Sequence, residues 1–480
     1  MIDESETPLL DALKEVVDRP HAAFYAPGHK QGKGSSYNLV DLIGKSVLQA
    51  DLPELPELDN LFAPYGAIEQ AQKLAALAFK ADRTWFLVNG SSCGIMAAIL
   101  ATCGTGDKII LPRNIHSSAI AGLVLSGAIP IFVNPEYNPE VGLAYNVTPE
   151  AVASALKQHP DTKAVMMLHP TYQGICGDLK AIAQITHQYD IPLLVDEAHG
   201  AHFGFHDDLP PSAISVGADL TVQSTHKVLS AMTQASMLHL KGDRVCNQRI
   251  SRALQLVQST SPSYLLLASL DAARGQVATR GHELMTRTIS LATEARKIAA
   301  IPRLSVLTPD KQPGCEYIDP TRLTIDVSQL GITGFAADEI LQELKVTCEL
   351  PLLHHLTFII SLGNTAEDIE QLIQACQTLS KIAPQTIPSH KILPPPSFIP
   401  YPLKSPREAY FAPAETVPIA QASDRLCGEL ICPYPPGIPL LMPGEIITSE
   451  AIDYLQQIIS AGGTITGCND PTLKTIQILR

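Results

Sequence analysis

Residues 219–240 read DLTVQSTHKVLSAMTQASMLHL. Two apolar runs, at 220–222 and 235–240, flank one ammonium, that of Lys227. His226 directly precedes it, and Ser224, Thr225 and Ser230 lie close by. A charge at the mouth of a core is costly unless it is paired or functions as a neutral amine. The two runs are the last of a series at 84–88, 108–112, 129–133, 164–168, 192–196, 220–224 and 235–239. These runs are nearly continuous in apolar residues, as expected of strands buried on both faces. Helical patterns separate most of them: SSCGIMAAILATCG, HSSAIAGLVLSG, PEAVASALKQH and DLKAIAQITHQY. Repeated strand–helix–strand units predict a mostly parallel seven-stranded sheet with helices on both faces. Only about ten residues join the last two runs. A parallel crossover takes roughly a dozen or more, so the seventh strand is expected to be antiparallel.

The rest of the chain follows from this core. A long helical segment is expected from Asp243 into the 290s. Residues 300–385 read as a smaller α/β part, with RLTIDVS as a strand and AADEILQELK and TAEDIEQLIQACQTLSKI as helices. Six prolines in KILPPPSFIPYPLKSP (391–406) indicate an extended linker. The expected divisions are an N-terminal arm at 1–60, a large cofactor-binding domain at 61–290, a small α/β domain at 291–390, and the linker with a C-terminal domain at 391–480.

Composition excludes several functions. The 480 residues are 45% hydrophobic and carry a formal net charge of −14. An acidic chain repels phosphate backbones, so no nucleic-acid partner is expected. No apolar stretch has the length of a membrane span, and MIDESETPLLDALKEVV lacks the basic start of a secretory signal. A cytoplasmic location is expected. The ten cysteines form no CxxC pair and the histidines no HExxH, so no metal site is expected and the thiols read as reduced and packed. GHKQGKGS (28–35) has three residues between its glycines where a nucleotide-binding loop has four, and it precedes the first strand.

In open α/β sheets ligands bind at the carboxyl ends of the strands. NGSSCG (89–94) follows the first strand, RNIHSS with His116 follows the second, VDEAH ends the fifth and QSTHK the sixth. Taken singly, each has a structural reading. NGSSCG and His116 suit helix caps, Asp196 suits a buried ion pair, and the Lys227 stem suits snorkelling to solvent. Together they supply an amine nucleophile, a carboxylate for a pyridinium nitrogen and a helix terminus for a phosphate. That is the set that pyridoxal phosphate requires.

At these residues the chain resembles a fold-type I (aspartate aminotransferase-like) pyridoxal-phosphate enzyme. More narrowly it is similar to the bacterial ornithine/lysine/arginine decarboxylase family. FYAPGHKQGKG (24–34), residues 54–92, VDEAHGAHFGFH, QSTHKVLSAMTQASMLH, STSPSYLLLASLD (259–271) and YPPGIPLLMPGE (434–445) carry the likeness in order. The resemblance implies that Lys227 is the Schiff-base lysine and that Asp196 pairs the ring nitrogen. It also implies that Ala198 and His116 face the two sides of the ring. Ser91, Ser92, Cys93, Ser224 and His226 would surround the phosphate, with Cys93 standing where hydroxyl residues are common. His199 would lie near the ring oxygen or behind it. Thr260 would reach a neighbouring subunit's phosphate, implying a homodimer or larger homo-oligomer with a shared active site. Glu445 would face the substrate's distal cation, or be only the end of a rigid Pro/Gly turn. The implied reaction is decarboxylation of a basic amino acid, arginine before lysine or ornithine, to agmatine, cadaverine or putrescine. Lys227 or His226 would return the Cα proton. The short biosynthetic type, without a receiver-like N-terminal domain, is implied. Transamination with Arg303 or Arg322 holding the α-carboxylate, elimination, and a catalytically silent homologue remain the alternatives.

Overall fold

The computed structural model describes residues 3–381, 402–434 and 437–480. Most of the expected proline-rich linker, and Pro435 and Pro436, lie outside these. Seven strands form one sheet: β1 (Arg83–Leu87), β2 (Lys108–Pro112), β3 (Ile129–Val133), β4 (Thr162–Leu168), β5 (Leu193–Asp196), β6 (Leu220–Gln223) and β7 (Ser236–Leu240). Their order is β1-β7-β6-β5-β4-β2-β3. β2 pairs in parallel with β3 and β4, and β7 runs antiparallel to both β1 and β6. The short 224–235 connection leaves β7 no other direction. Every residue of β5, β6 and β7 is buried, which explains their unbroken apolar character.

The chain packs as two compact units, residues 1–101 with 195–285, and residues 102–194 with 286–480. In the first, the helix Gly90–Thr102 starts directly behind β1. A Cβ at Gly94 would stand 2.7 Å from both Leu87 Cδ1 and Val222 Cγ1. Only a glycine lets this helix lie so close to β1 and β6. The helix Ala67–Ala78 lacks a cap of its own, and the buried Asp59 carboxylate accepts the N–H groups of Gly66, Ile68 and Glu69 at its start. The helical stretch expected from Asp243 onward is two helices, Asn247–Val257 and Tyr264–Ala295. The break falls in QSTSPS, where hydroxyl side chains and Pro262 oppose helical continuation.

The second unit contains the smaller α/β part. β8 (Ser305–Val306), β9 (Arg322–Asp326), β10 (Leu350–Pro351) and β11 (His355–Ile359) form an antiparallel sheet in the order β8-β9-β11-β10. The helices Gly334–Glu343 and Ala366–Leu379 pack Leu341, Leu372 and Cys376 with Leu323, Ile325, Leu356 and Phe358. The second helix starts with the reciprocal Thr365–Asp368 cap. Towards the C-terminus the strands Ala414–Pro418 and Thr475–Leu479 pair antiparallel, and Leu455 of the helix Ser449–Ser460 joins Ile476 and Ile478 in a further core. Among the described residues no helix is long and apolar enough to cross a membrane.

Candidate active site

The first unit gathers most of the expected residues. β5 ends on Asp196, whose Oδ1 accepts the Ala198 N–H at 3.2 Å. The adjacent β6 runs into a one-turn helix, Thr225–Val228, which carries Lys227. Lys227 Nζ stands 2.9 Å from His199 Nε2. At that distance one proton is shared between two basic nitrogens, so the pair does not carry two charges. His226 Nδ1 lies 3.0 Å from the Ala235 carbonyl, which can only accept, so Nδ1 holds the proton.

Ser224 Oγ donates to Ser91 Oγ at 2.8 Å, joining the end of β6 to the helix opened by Gly90. The first N–H groups of that helix, among them those of Ser91, Ser92 and Cys93, have no partner inside it. The Cys93 thiol donates to the Gly90 carbonyl at 3.0 Å, and burial pushes it up to about 12. It is therefore a neutral thiol used within its own turn, and Cys93 has only its backbone N–H to offer a phosphate. Thr260 is exposed in the break between the two later helices. That break is tied to the loop before the phosphate helix: Gln258 Oε1 accepts the Val88 N–H at 2.9 Å and Asn89 Oδ1 the Ser259 N–H at 3.2 Å.

Two groups here were given no role of their own from sequence. The Thr225 hydroxyl is buried with no hydrogen-bond partner among the described residues. Glu197 is the other. Its carboxyl accepts the Ala213 N–H and the Gln223 Nε2 N–H, both at 2.7 Å. Gln223 Oε1 then meets His239 Nε2 at 3.0 Å, and His239 Nδ1 meets Thr84 Oγ1 at 2.8 Å. This buried polar chain crosses the ends of β5 and β6 and continues through β7 to β1. Burial pushes Glu197 up to about 8 against the pull of its two donors, and pushes His239 down to about 3. Both are neutral near pH 7. The signal for Glu197 was an acid directly after Asp196 at a strand end, where side chains of successive residues point to opposite faces.

The donor set fits a phosphorylated pyridine aldehyde. It offers an amine, a buried carboxylate, a small residue at 198, helix N–H groups with no partner inside their helix, and a buried hydroxyl without a partner among the described residues.

His116 and Glu445 belong to the second unit. His116 caps the helix Ser117–Ser126, with Nδ1 accepting the Ser118 N–H at 3.2 Å. Glu445, expected to face a substrate cation, pairs with the chain's own Arg113 at 3.0 Å, both side chains being buried. The signal for Arg113 was a cation following the wholly apolar end of β2. Arg303 donates to the Ser380 carbonyl, and Arg322 is buried near Asp319. Neither arginine stands free for an α-carboxylate, which weighs against transamination.

Residues 7–312 match the Orn/Lys/Arg decarboxylase major domain, and residues 396–470 match the C-terminal domain of the same family. The chain is 40% identical to the arginine decarboxylase of Bacillus subtilis, over 100% of this chain and 99% of that protein. It is 25% identical to the lysine decarboxylase LdcA of Pseudomonas aeruginosa, over 94% of this chain and 75% of that protein. The fold is similar to that of the constitutive lysine decarboxylase of Escherichia coli, with a TM-score of 0.85 at 22% identity, covering 100% of this chain and 82% of that one. The sheet order and the full-length likeness agree: the chain belongs to the Orn/Lys/Arg decarboxylase family.

Proposed function

We propose that this protein removes the α-carboxylate of a basic L-amino acid, arginine before lysine or ornithine, using pyridoxal phosphate held at Lys227. The observation that carries this reading is the Lys227–His199 contact of 2.9 Å on a strand end next to that of buried Asp196. Full-length relatives named arginine decarboxylase, at 40% identity, support arginine as the leading substrate. When bound, the cofactor supplies an electron sink for the pair left on Cα as the Cα–carboxylate bond breaks.

The chain's own residues do the rest. Asp196 would pair the ring nitrogen and keep it protonated, which would deepen that sink. His199 accepts a proton from the Lys227 ammonium and leaves the amine nucleophilic. Ser91, Ser92, Ser224 and Thr225, with the helix N–H groups, would hold the phosphate. Ala198 would leave room on one ring face, and His116 would cover the other. Either Lys227 or His226 delivers a proton to Cα, so one proton is consumed for each CO₂ released. Thr260, exposed here, would serve the phosphate of a second copy, and the working unit is a homodimer or larger, located in the cytoplasm.

The direct experiment supplies arginine, lysine and ornithine to the cofactor-loaded protein and identifies products by mass. Agmatine with one CO₂ per turnover is expected. A 2-oxo acid in place of an amine would refute the proposal.

A further inference from the structure

The Arg113–Glu445 pair is more than one contact. Arg113 Nη2 donates to Glu445 Oε2 at 3.0 Å, to Oε1 at 3.3 Å and to the Leu440 carbonyl at 2.9 Å. Nη1 donates to the Pro439 carbonyl at 2.9 Å. The Phe132 ring lies 5.3 Å from the guanidinium carbon. Glu445 Oε2 also accepts the Met442 N–H at 2.9 Å. Burial pushes the Glu445 carboxyl up, while Arg113 and the Met442 N–H pull it back. One side chain at the end of β2 thus binds several acceptors of the segment 439–445.

Three residues after Arg113 comes His116. Its Nδ1 takes the Ser118 N–H, which leaves Nε2 as the nitrogen on the other side of the ring. Gly437 begins the clamped segment at φ +80°, and a Cβ there would come within 4.0 Å of His116 Nε2. The segment fastened by Arg113 therefore runs past the Nε2 edge of His116.

We propose that Arg113 and Glu445 are positioning residues that clamp 437–445 beside His116, and that Glu445 does not take the substrate's distal cation. Both Glu445 oxygens already have donors from this chain. A substrate cation could claim the carboxylate only by leaving the Arg113 guanidinium buried without it, which costs more than the pair contributes. The clamp stands on this geometry alone, and its effect on turnover rests on the decarboxylase reading.

The test compares Glu445→Gln and Arg113→Lys with the wild type, each full-length and cofactor-loaded. Hydrogen exchange of peptides covering 437–447 is read without substrate. A lysine keeps the charge but cannot span the several acceptors, so it serves if the glutamine variant fails to fold. Exchange in that segment should rise about tenfold or more in either variant. kcat should fall by about tenfold, with KM for arginine within about threefold of wild type. Unchanged exchange would overturn the clamp even in a protein with no decarboxylase activity. A KM for arginine raised about thirtyfold or more at unchanged kcat would return Glu445 to the substrate.

Discussion

The end of β6 and the end of β2 look alike in sequence. Each is an apolar strand followed within a few residues by a cation and a histidine, Lys227 with His226 and Arg113 with His116. In the structure they differ in how their polar groups are satisfied. At β6 the Lys227 amine meets another base, His199, and the Thr225 hydroxyl nearby in the chain has no hydrogen-bond partner among the described residues. At β2 the guanidinium is bound by a carboxylate and two carbonyls of the same chain. Buried polar groups are normally satisfied. A buried hydroxyl left without a partner, as at Thr225, suits a ligand, and a saturated cluster suits holding the chain.

This contrast is open to attack. The largest effect is expected at Asp196. Asp196→Asn should leave the far-ultraviolet spectrum unchanged and cut kcat by about a hundredfold or more, because the ring nitrogen loses its fixed negative partner. Near-wild-type turnover would show that Asp196, like Glu445, is a structural acid.

Glu197 gives a subtler test, because it is buried and satisfied yet lies at the ligand-directed end. Its folded value of about 8 lies above the roughly 4.3 of an unfolded glutamate, so the folded state keeps a proton that the unfolded chain loses. Its contribution is complete below about pH 4.3 and declines as pH rises, at up to about 1.4 kcal/mol per unit, until it is gone above the folded value. Glu197→Gln, which mimics the neutral acid, should flatten this part of the decline in urea midpoint between pH 5.5 and 8.5. An unchanged slope would mean that Glu197 is ionised when folded.

The smallest effect belongs to Cys93. Cys93→Ser should change cofactor affinity by no more than about twofold, since the side chain bonds its own helix turn and the backbone N–H is retained. A large gain on titration with cofactor would show a hydroxyl reaching the phosphate where the thiol does not.

The same distinction explains what was readable beforehand. The seven strands were legible because burial on both faces leaves unbroken apolar runs, and the direction of β7 followed from the shortness of one loop. β11 was not, since HLTFI mixes His355 and Thr357 into five residues without the long apolar signal. The helix break at 258–263 was written in Ser259, Thr260 and Pro262 but was overridden by the periodic stretches on either side. In the candidate site, residue types and strand ends pointed to Lys227, Asp196 and Ser224. Partnership could not be seen. Arg113 and Glu445 lie 332 positions apart, and no local pattern announces that each satisfies the other.

The central claim concerns one nitrogen, Lys227 Nζ. The cofactor-loaded protein is treated with borohydride, digested, and its peptides are mapped by mass. The account predicts a single pyridoxyl-phosphate adduct on the peptide containing Lys227, and none in Lys227→Ala. An adduct on a different lysine, or none in a protein that still releases CO₂ from arginine, would contradict it.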